Sequence, residues 1–262
     1  MLRYLKLYLH FLRFSFSRAF EFRIDFYNRI VMDIIFYVVN IGFYQILFSQ
    51  TVLLGGWTQE QAMIFVGGYL LVDAIGMAVF ADNMYNLPHF IQTGELDYYL
   101  TRPVSSLFFL SLRSFSASSF VNIILASSFT IWALVQYSAP IAAWKIVLFF
   151  FLLINGSVLS YIIAMFFNIL VFWFHSGQGL IQISWTMNQF REKPDMIFRG
   201  TFHRIMTTVL PYGLMASFPA RILFEDNIGG ILLHIALVTL LLFLAMKAFW
   251  RFGLKNYSSA SS

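Results

Sequence analysis

Asp73 is the one charged residue between Ala62 and Ala81, and a carboxylate at such depth in an apolar run has a restricted set of uses. It faces either a wet cavity, where it can receive a cationic group on a substrate path, or a neighbouring span that hydrogen-bonds it or keeps it protonated. Asp82 follows nine residues later, about 13 Å along a helix. A second semi-polar stretch carries Gln182, Ser184, Asn188 and Gln189, which suits one face of a crossing turned to a cavity. With Asp73, the residues Gln182, Asn188 and Gln189 are the candidate substrate path. Catalytic patterns are missing. The chain contains no phosphate loop of the form G-x-x-x-x-G-K, no H-E-x-x-H and no G-x-S-x-G. The five histidines (His10, His89, His175, His203, His234) are scattered, and zero cysteines exclude disulfides, thiol catalysis and cysteine-bound metal. Neither a metal ligand set nor a cofactor site is readable. Enzymatic chemistry survives only as a lipid-modifying intramembrane site assembled in three dimensions.

The elements that must position these residues follow from composition. Of 262 residues, 60% are hydrophobic and only 11% charged, against the quarter or so that wets a soluble domain. Charge-free runs over 34–59, 114–144, 146–190 and 227–246 are each long enough to cross a hydrocarbon core, which takes about 20 helical residues. The class is all-α integral membrane, and too little polar sequence remains for a built-in nucleotide-binding domain. The net charge of +5 sits beside the spans, where it sets orientation and attracts anionic lipid, so lipid and not nucleic acid is the expected partner.

Residues 1–28 are expected to form an amphipathic helix lying in the membrane interface. Arg3, Lys6, His10, Arg13 and Ser17 share one stripe, while Leu5, Leu9, Leu12, Phe16 and Phe20 lie elsewhere. Glu21, Asp25, Arg29 and Asp33 continue at intervals of four as a charge ladder. Residues 29–262 read as one six-span domain, with spans near 30–50, 60–81, 107–136, 144–173 and 228–250. Basic residues before the first span (Arg18, Arg23, Arg29) and after the last (Lys247, Arg251, Lys255) place both termini in the cytoplasm.

The fifth crossing has two readings. A span over 205–223 leaves Arg191, Lys193, Arg199 and Arg204 on the cytoplasmic side, as the basic-residue rule prefers. However, Pro211, Gly213 and Pro219 interrupt it, and lipid cannot replace lost backbone bonds. The other reading turns the chain at 175–179, crosses over 178–198, and folds about 194–226 as a re-entrant external hairpin shielded by protein.

The sharpest local pattern is GELDYYLTRP, Gly94 to Pro103, inside the polar connection 83–103 that the orientation makes cytoplasmic. Pro88 is expected to interrupt the preceding helix, Gly94 to permit a turn and Pro103 to fix the chain before the next span. Leu96, Tyr99 and Leu100 can share one apolar face beside Glu95, Asp97 and Arg102, a short amphipathic helix with surface to offer a cytosolic partner. The paired acids disfavour its lying on anionic lipid.

This run resembles the Gly-x-Leu-Asp-x-x-Leu-x-Arg-Pro signature of a subgroup of type-2 ABC-transporter permeases, often described as ABC-2 family transporter protein. The similarity extends through Phe172 and Trp173, then Pro194 with Ile197 and Phe198, to LPYGLMASFPARIL at Leu210 to Leu223. It implies the permease of an exporter in a bacterial inner (plasma) membrane. Two permeases, identical or a related pair, would form the path and sit on two copies of a cytosolic ABC ATPase, which binds the ATP and Mg. Carried over, Gly94, Leu96, Asp97, Leu100, Arg102 and Pro103 would build the coupling helix. Pro194, Pro211 and Pro219 would belong to the external gate. The remaining rival is a secondary transporter using Asp73, which ought to show two related halves.

Overall fold

The computed structural model describes the backbone of residues 2–21, 23–174 and 177–257, and the side chains of these except 2–5, 18–21 and 23. His175 and Ser176 of the expected turn, residues 258–262 of the tail, and the side chains of Arg3, Leu5, Arg18, Phe20, Glu21 and Arg23 lie outside the described residues. Among the described residues the chain is all helix, with one isolated bridge between Leu54 and Trp57.

An N-terminal helix α1 (Leu2–Glu21) and a longer α2 (Arg23–Gln50) open the chain. On α1 the side chains of Lys6, His10, Arg13 and Ser17 are exposed, whereas Tyr8 and Phe11 pack edge-on against Phe115 and Phe109 at 5.1 and 5.3 Å. The charge ladder holds in part. Arg29 pairs with Asp25 at 3.0 Å, but Asp33 turns away and accepts the side-chain amide of Asn122.

Helix α3 (Gln59–Gly76) starts on a capping box in which Thr58 and Gln61 satisfy each other's backbone N–H groups. It passes through a π-helical turn (Met77–Ala81) into α4 (Asp82–Thr93). Pro88 does not interrupt α4 as expected; it is buried inside it, and the helix stops where Gly94 adopts φ 80°, a left-handed cap that suits glycine. After α5 (Leu96–Leu100), the expected third span is split into α6 (Ser106–Leu112) and α7 (Ala117–Gln136). The break is held from α4: Asn83 donates to the Ser114 carbonyl at 2.8 Å and accepts from its N–H at 2.9 Å. The Ser116 N–H meanwhile donates to the Ala78 carbonyl within the π-helical turn. Helix α8 (Ala143–Ile169) continues into α9 (Val171–Phe174).

Short pieces follow: α10 (Gly177–Asn188) with a 3-10 turn (Gln189–Glu192), then α11 (Gly200–Thr208) and α12 (Ser217–Phe224), before the long α13 (Gly229–Asn256). The prolines fall where their missing N–H costs little. Pro194 and Pro211 precede 3-10 turns, and Pro219 lies in the first turn of α12.

Among the described residues five helices are long and apolar enough to cross a membrane: 24–50, 59–93, 117–136, 143–174 and 229–256. Two are central, with 67% of the most apolar stretch of 59–93 and 56% of that of 143–174 buried within the protein, against 11% for α2 and 17% for α13. The outer two leave most of their apolar surface uncovered by the rest of the chain. Between α8 and the segment before α12 the backbones touch. A Cβ on Gly156 would come within 2.1 Å of the Met215 carbonyl oxygen, so only glycine admits this approach.

Candidate substrate cavity and coupling segment

A cavity of about 410 Å³ opens between α2, the α3–α4 helix, α8 and α10. Asp73 lines it, and so do Asn188 and Gln189; Gln182 does not, being exposed on another face of α10. The sequence reading left Asp73 a choice between solvent and a neighbour. The structure gives it Arg191, from the 3-10 turn after α10, as a buried ion-pair partner. Their side chains are 14% and 11% exposed. Arg191 also donates to Ser160 of α8 at 3.4 Å, so the guanidinium ties α10 to both central helices. Such a pair is costly to bury and costlier to break, because a lone charge would remain behind.

The π-helical turn supplies Met77, Phe80 and Ala81 to the lining, and Phe36, Tyr85, Tyr161 and Trp185 add further rings. Phe80 lies 4.7 Å from Tyr161, and Tyr85 stacks edge-on with Trp185 at 5.4 Å. Tyr161 is fixed by a 2.6 Å hydrogen bond with Ser111. Arg191, Glu192, Asp33 and Trp185 are lining residues that sequence reasoning missed. One signal pointed to Arg191: an intramembrane acid requires a counter-charge, and Arg191 is the first basic residue after a charge-free run that starts at Ile146.

Above this pair, at the end of the molecule that carries the 51–58 loop, a second polar cluster organises the proline-rich region. Asp195 is fully buried. It accepts from the Ser217 hydroxyl and from Arg221 Nη1 at 3.3 Å, and lies 3.1 Å from His203 Nε2. Arg221 also donates to Glu225 at 2.7 Å. One acid thus fastens α11 and α12 to the turn following Pro194. Among the described residues no group of three or more His, Asp or Glu could hold a metal ion.

The coupling segment lies at the opposite end. Gly94 turns the chain back and α5 follows at once, but its apolar residues do not share one outward face as expected. Leu96 and Tyr99 are buried in a cluster with Met84, Leu87, Ile91 and Leu110 that reaches Trp250 of α13. Tyr99 is further held by Arg113, which donates to its hydroxyl. The residues left outside are Glu95, Tyr98, Leu100, Arg102 and Pro103, with the Arg102 guanidinium 4.2 Å above the Tyr98 ring. Asp97 is half-buried beside Tyr257, whose phenol is pushed above its ordinary pKa first by burial and then by the Asp97 charge. Phe172 and Trp173 belong to the same end. Phe172 packs on Trp250 at 5.7 Å, and Trp173 lies between Phe249 and Phe252, both at 5.3 Å.

Residues 34–261 match the family described as ABC-2 family transporter protein. No curated protein and no solved structure matches the chain. The match takes in 83–103, the Asp195 cluster and all of the cavity lining except Asp33. With five apolar helices of crossing length, the chain is a multi-pass membrane protein and belongs to the ABC-2 family of transporter proteins, as the permease component of an ABC transporter.

Proposed function

We propose that this chain is the membrane half of an ATP-driven exporter in a bacterial inner membrane. Two permeases, identical or related, form the path and receive their work from two cytosolic ATPase subunits, which carry the ATP and Mg. Both termini are cytoplasmic and the chain crosses six times. In this arrangement α1 lies in the interface, α10 with its 3-10 turn makes the fifth crossing, and about 194–226 forms a re-entrant external gate. Support for that route comes from its two ends. Gly177 abuts Pro88 and Gln92 near the coupling segment, while Met196 and Ile197 lie against Gly55 in the loop between α2 and α3. That outer end also holds Glu60 bonded to Ser138 and Lys145 bonded to the Glu225 carbonyl.

The observation that carries the reading is the two-sided construction of 83–103. Its inner side chains, Leu96 and Tyr99, are locked into the ends of the long helices. Its outer ones, Tyr98, Leu100 and Arg102, remain exposed on a continuous rim with Pro103. A partner gripping that rim moves the helix ends with it, and a rigid-body shift of this kind changes access to the cavity. ATP closing the ATPase pair supplies the differential contact that such a shift requires. Asp73 is engaged by Arg191 and is not a lone intramembrane acid.

The test is co-purification with the ATPase. Tyr98→Ala combined with Arg102→Glu is expected to abolish recovery of the ATPase, with the thermal stability of the permease unchanged to within about 0.5 kcal/mol, as for exposed substitutions. Full recovery by the double variant would remove the coupling assignment.

A further inference from the structure

The cavity lining is chemically lopsided. It carries three carboxylates, Asp33, Asp73 and Glu192, against the single cation Arg191, which is committed to Asp73. Asp33 is met by a neutral amide, that of Asn122; the cation nearest to it along α2, Arg29, lies one turn away and is paired with Asp25. The Asn188 side-chain oxygen is buried there without a hydrogen-bond partner, a further acceptor awaiting a donor. One donor is also unmatched, Arg191 Nε, which calls for a single acceptor atom on whatever enters. Phe36, Phe80, Tyr85 and Trp185 offer ring faces and edges around these groups. Ring faces in a desolvated site attract cations, and carboxylates in excess attract them more strongly at low dielectric.

The cavity also has an approach. A neighbouring space of about 330 Å³ shares Asp33, Met77, Tyr85 and Trp185 with it and runs down to Asn28, Arg29 and Asp82 near the foot of α2. The approach therefore opens laterally, at the depth of the coupling-end leaflet. The π-helical turn widens the helix wall where the two spaces meet, and turns of this kind concentrate at functional positions.

We propose that this cavity binds an organic cation with an aromatic or alkyl body, admitted from the coupling-end leaflet between α2 and α10. The assignment rests on the permease reading and deepens it by naming a substrate class. Its volume of about 410 Å³ lies in the range of sites for drug-sized molecules. An anion of the same bulk would meet Asp33 and Glu192, and only one unmatched donor would welcome it.

The experiment uses the full chain in lipid nanodiscs, with empty nanodiscs subtracted. Binding of radiolabelled tetraphenylphosphonium is measured by equilibrium dialysis against tetraphenylborate, a probe of nearly identical shape and opposite charge. Saturable binding of the cation alone is expected. Asp33→Asn, which retains a hydrogen bond to Asn122, should weaken it about tenfold, the effect of one interaction of about 1.4 kcal/mol. Tyr85→Ala should weaken it as well, while Glu60→Gln at the outer end should leave it unchanged. Equal binding of the two probes, or full affinity in both Asp33→Asn and Tyr85→Ala, would overturn the assignment. ATPase recovery measured on the same wild-type preparation separates the two readings. Recovery without cation binding sinks the substrate class alone, whereas cation binding without recovery sinks the permease reading.

Discussion

The two ends of this molecule are held together by different physics. At the coupling end the contacts are apolar and aromatic: Leu96, Tyr99, Leu110, Phe172 and Trp250 share one cluster in which directional bonds are few. At the outer end a run of short helices is fastened by a buried acid with three side-chain partners, Asp195 with Ser217, Arg221 and His203. Packed apolar surface is non-directional and resists being parted, so a displacement of the proposed coupling segment would carry the helix ends with it as one block. Hydrogen-bonded charge is directional, and such clusters have few alternative arrangements, each distinct from the next. A lever and a latch differ in this way. The first must transmit displacement without yielding, whereas the second must hold one position until displaced and then hold another.

The comparison breaks most visibly if the latch is cut. Asp195→Ala leaves Arg221 with Glu225 alone and removes the acceptor of Ser217 and the neighbour of His203. The expected loss is about 3–5 kcal/mol, for taking one partner out of a buried charge pair and leaving a buried hydroxyl without its acceptor. Thermal unfolding in detergent should register it, and protease susceptibility should rise first within 194–225. A loss confined to a few tenths of a kcal/mol would mean that the outer helices are held by packing after all. The lever responds to a different injury. Leu96→Ala should cost about 3 kcal/mol through the cavity it leaves in the cluster around Tyr99 and Trp250. ATPase recovery should fall only in proportion to the folded fraction, because Leu96 itself is fully buried. A charge introduced at the buried Leu96 would report destabilisation and not docking, which is why the exposed Tyr98 and Arg102 make the better docking variants.

Much of the lever was legible in the sequence and little of the latch. The spans around Asp73 and the turn at Gly94 follow from hydropathy and from glycine's tolerance of φ 80°, both local properties. Which residues of GELDYYLTRP point inward does not follow. The helical pattern puts Leu96, Tyr99 and Leu100 on one face, but five residues of helix are too few to average the pattern, and α4 and α6 claimed only the first two. Pro88 is accommodated inside α4, where the chain at Gly177 packs against it, and a contact of that kind lies 89 residues away in sequence. Asp73 and Arg191 are 118 residues apart, and Asp195 and Arg221 are 26 apart across two turns. Pairings at such separations are set by tertiary packing, and a single sequence records only that each charge must have some partner.

The smallest expected effect sharpens the contrast by adding pH. At the coupling end Tyr257 has its phenol raised above 10.0 by burial and by the nearby Asp97 carboxylate, and Tyr99 is raised by burial, with Arg113 opposing. A raised folded pKa means that the folded chain prefers the neutral phenol. The stabilisation is therefore complete below the ordinary tyrosine value and is lost as pH rises through the folded one. Phenolate at Tyr257 would stand against Asp97 and loosen the last turn of α13 from α5. Melting followed from about pH 9 to about pH 11 should show a decline that Tyr257→Phe reduces, since phenylalanine keeps the ring contact with Phe172 and has no proton to lose. The Asp195 cluster lies at the other end of the molecule and contains no tyrosine, so protease cleavage within 194–225 should not change across the same interval. If cleavage there rises together with the loss at α5, the two ends are one cooperative unit and the distinction between lever and latch fails.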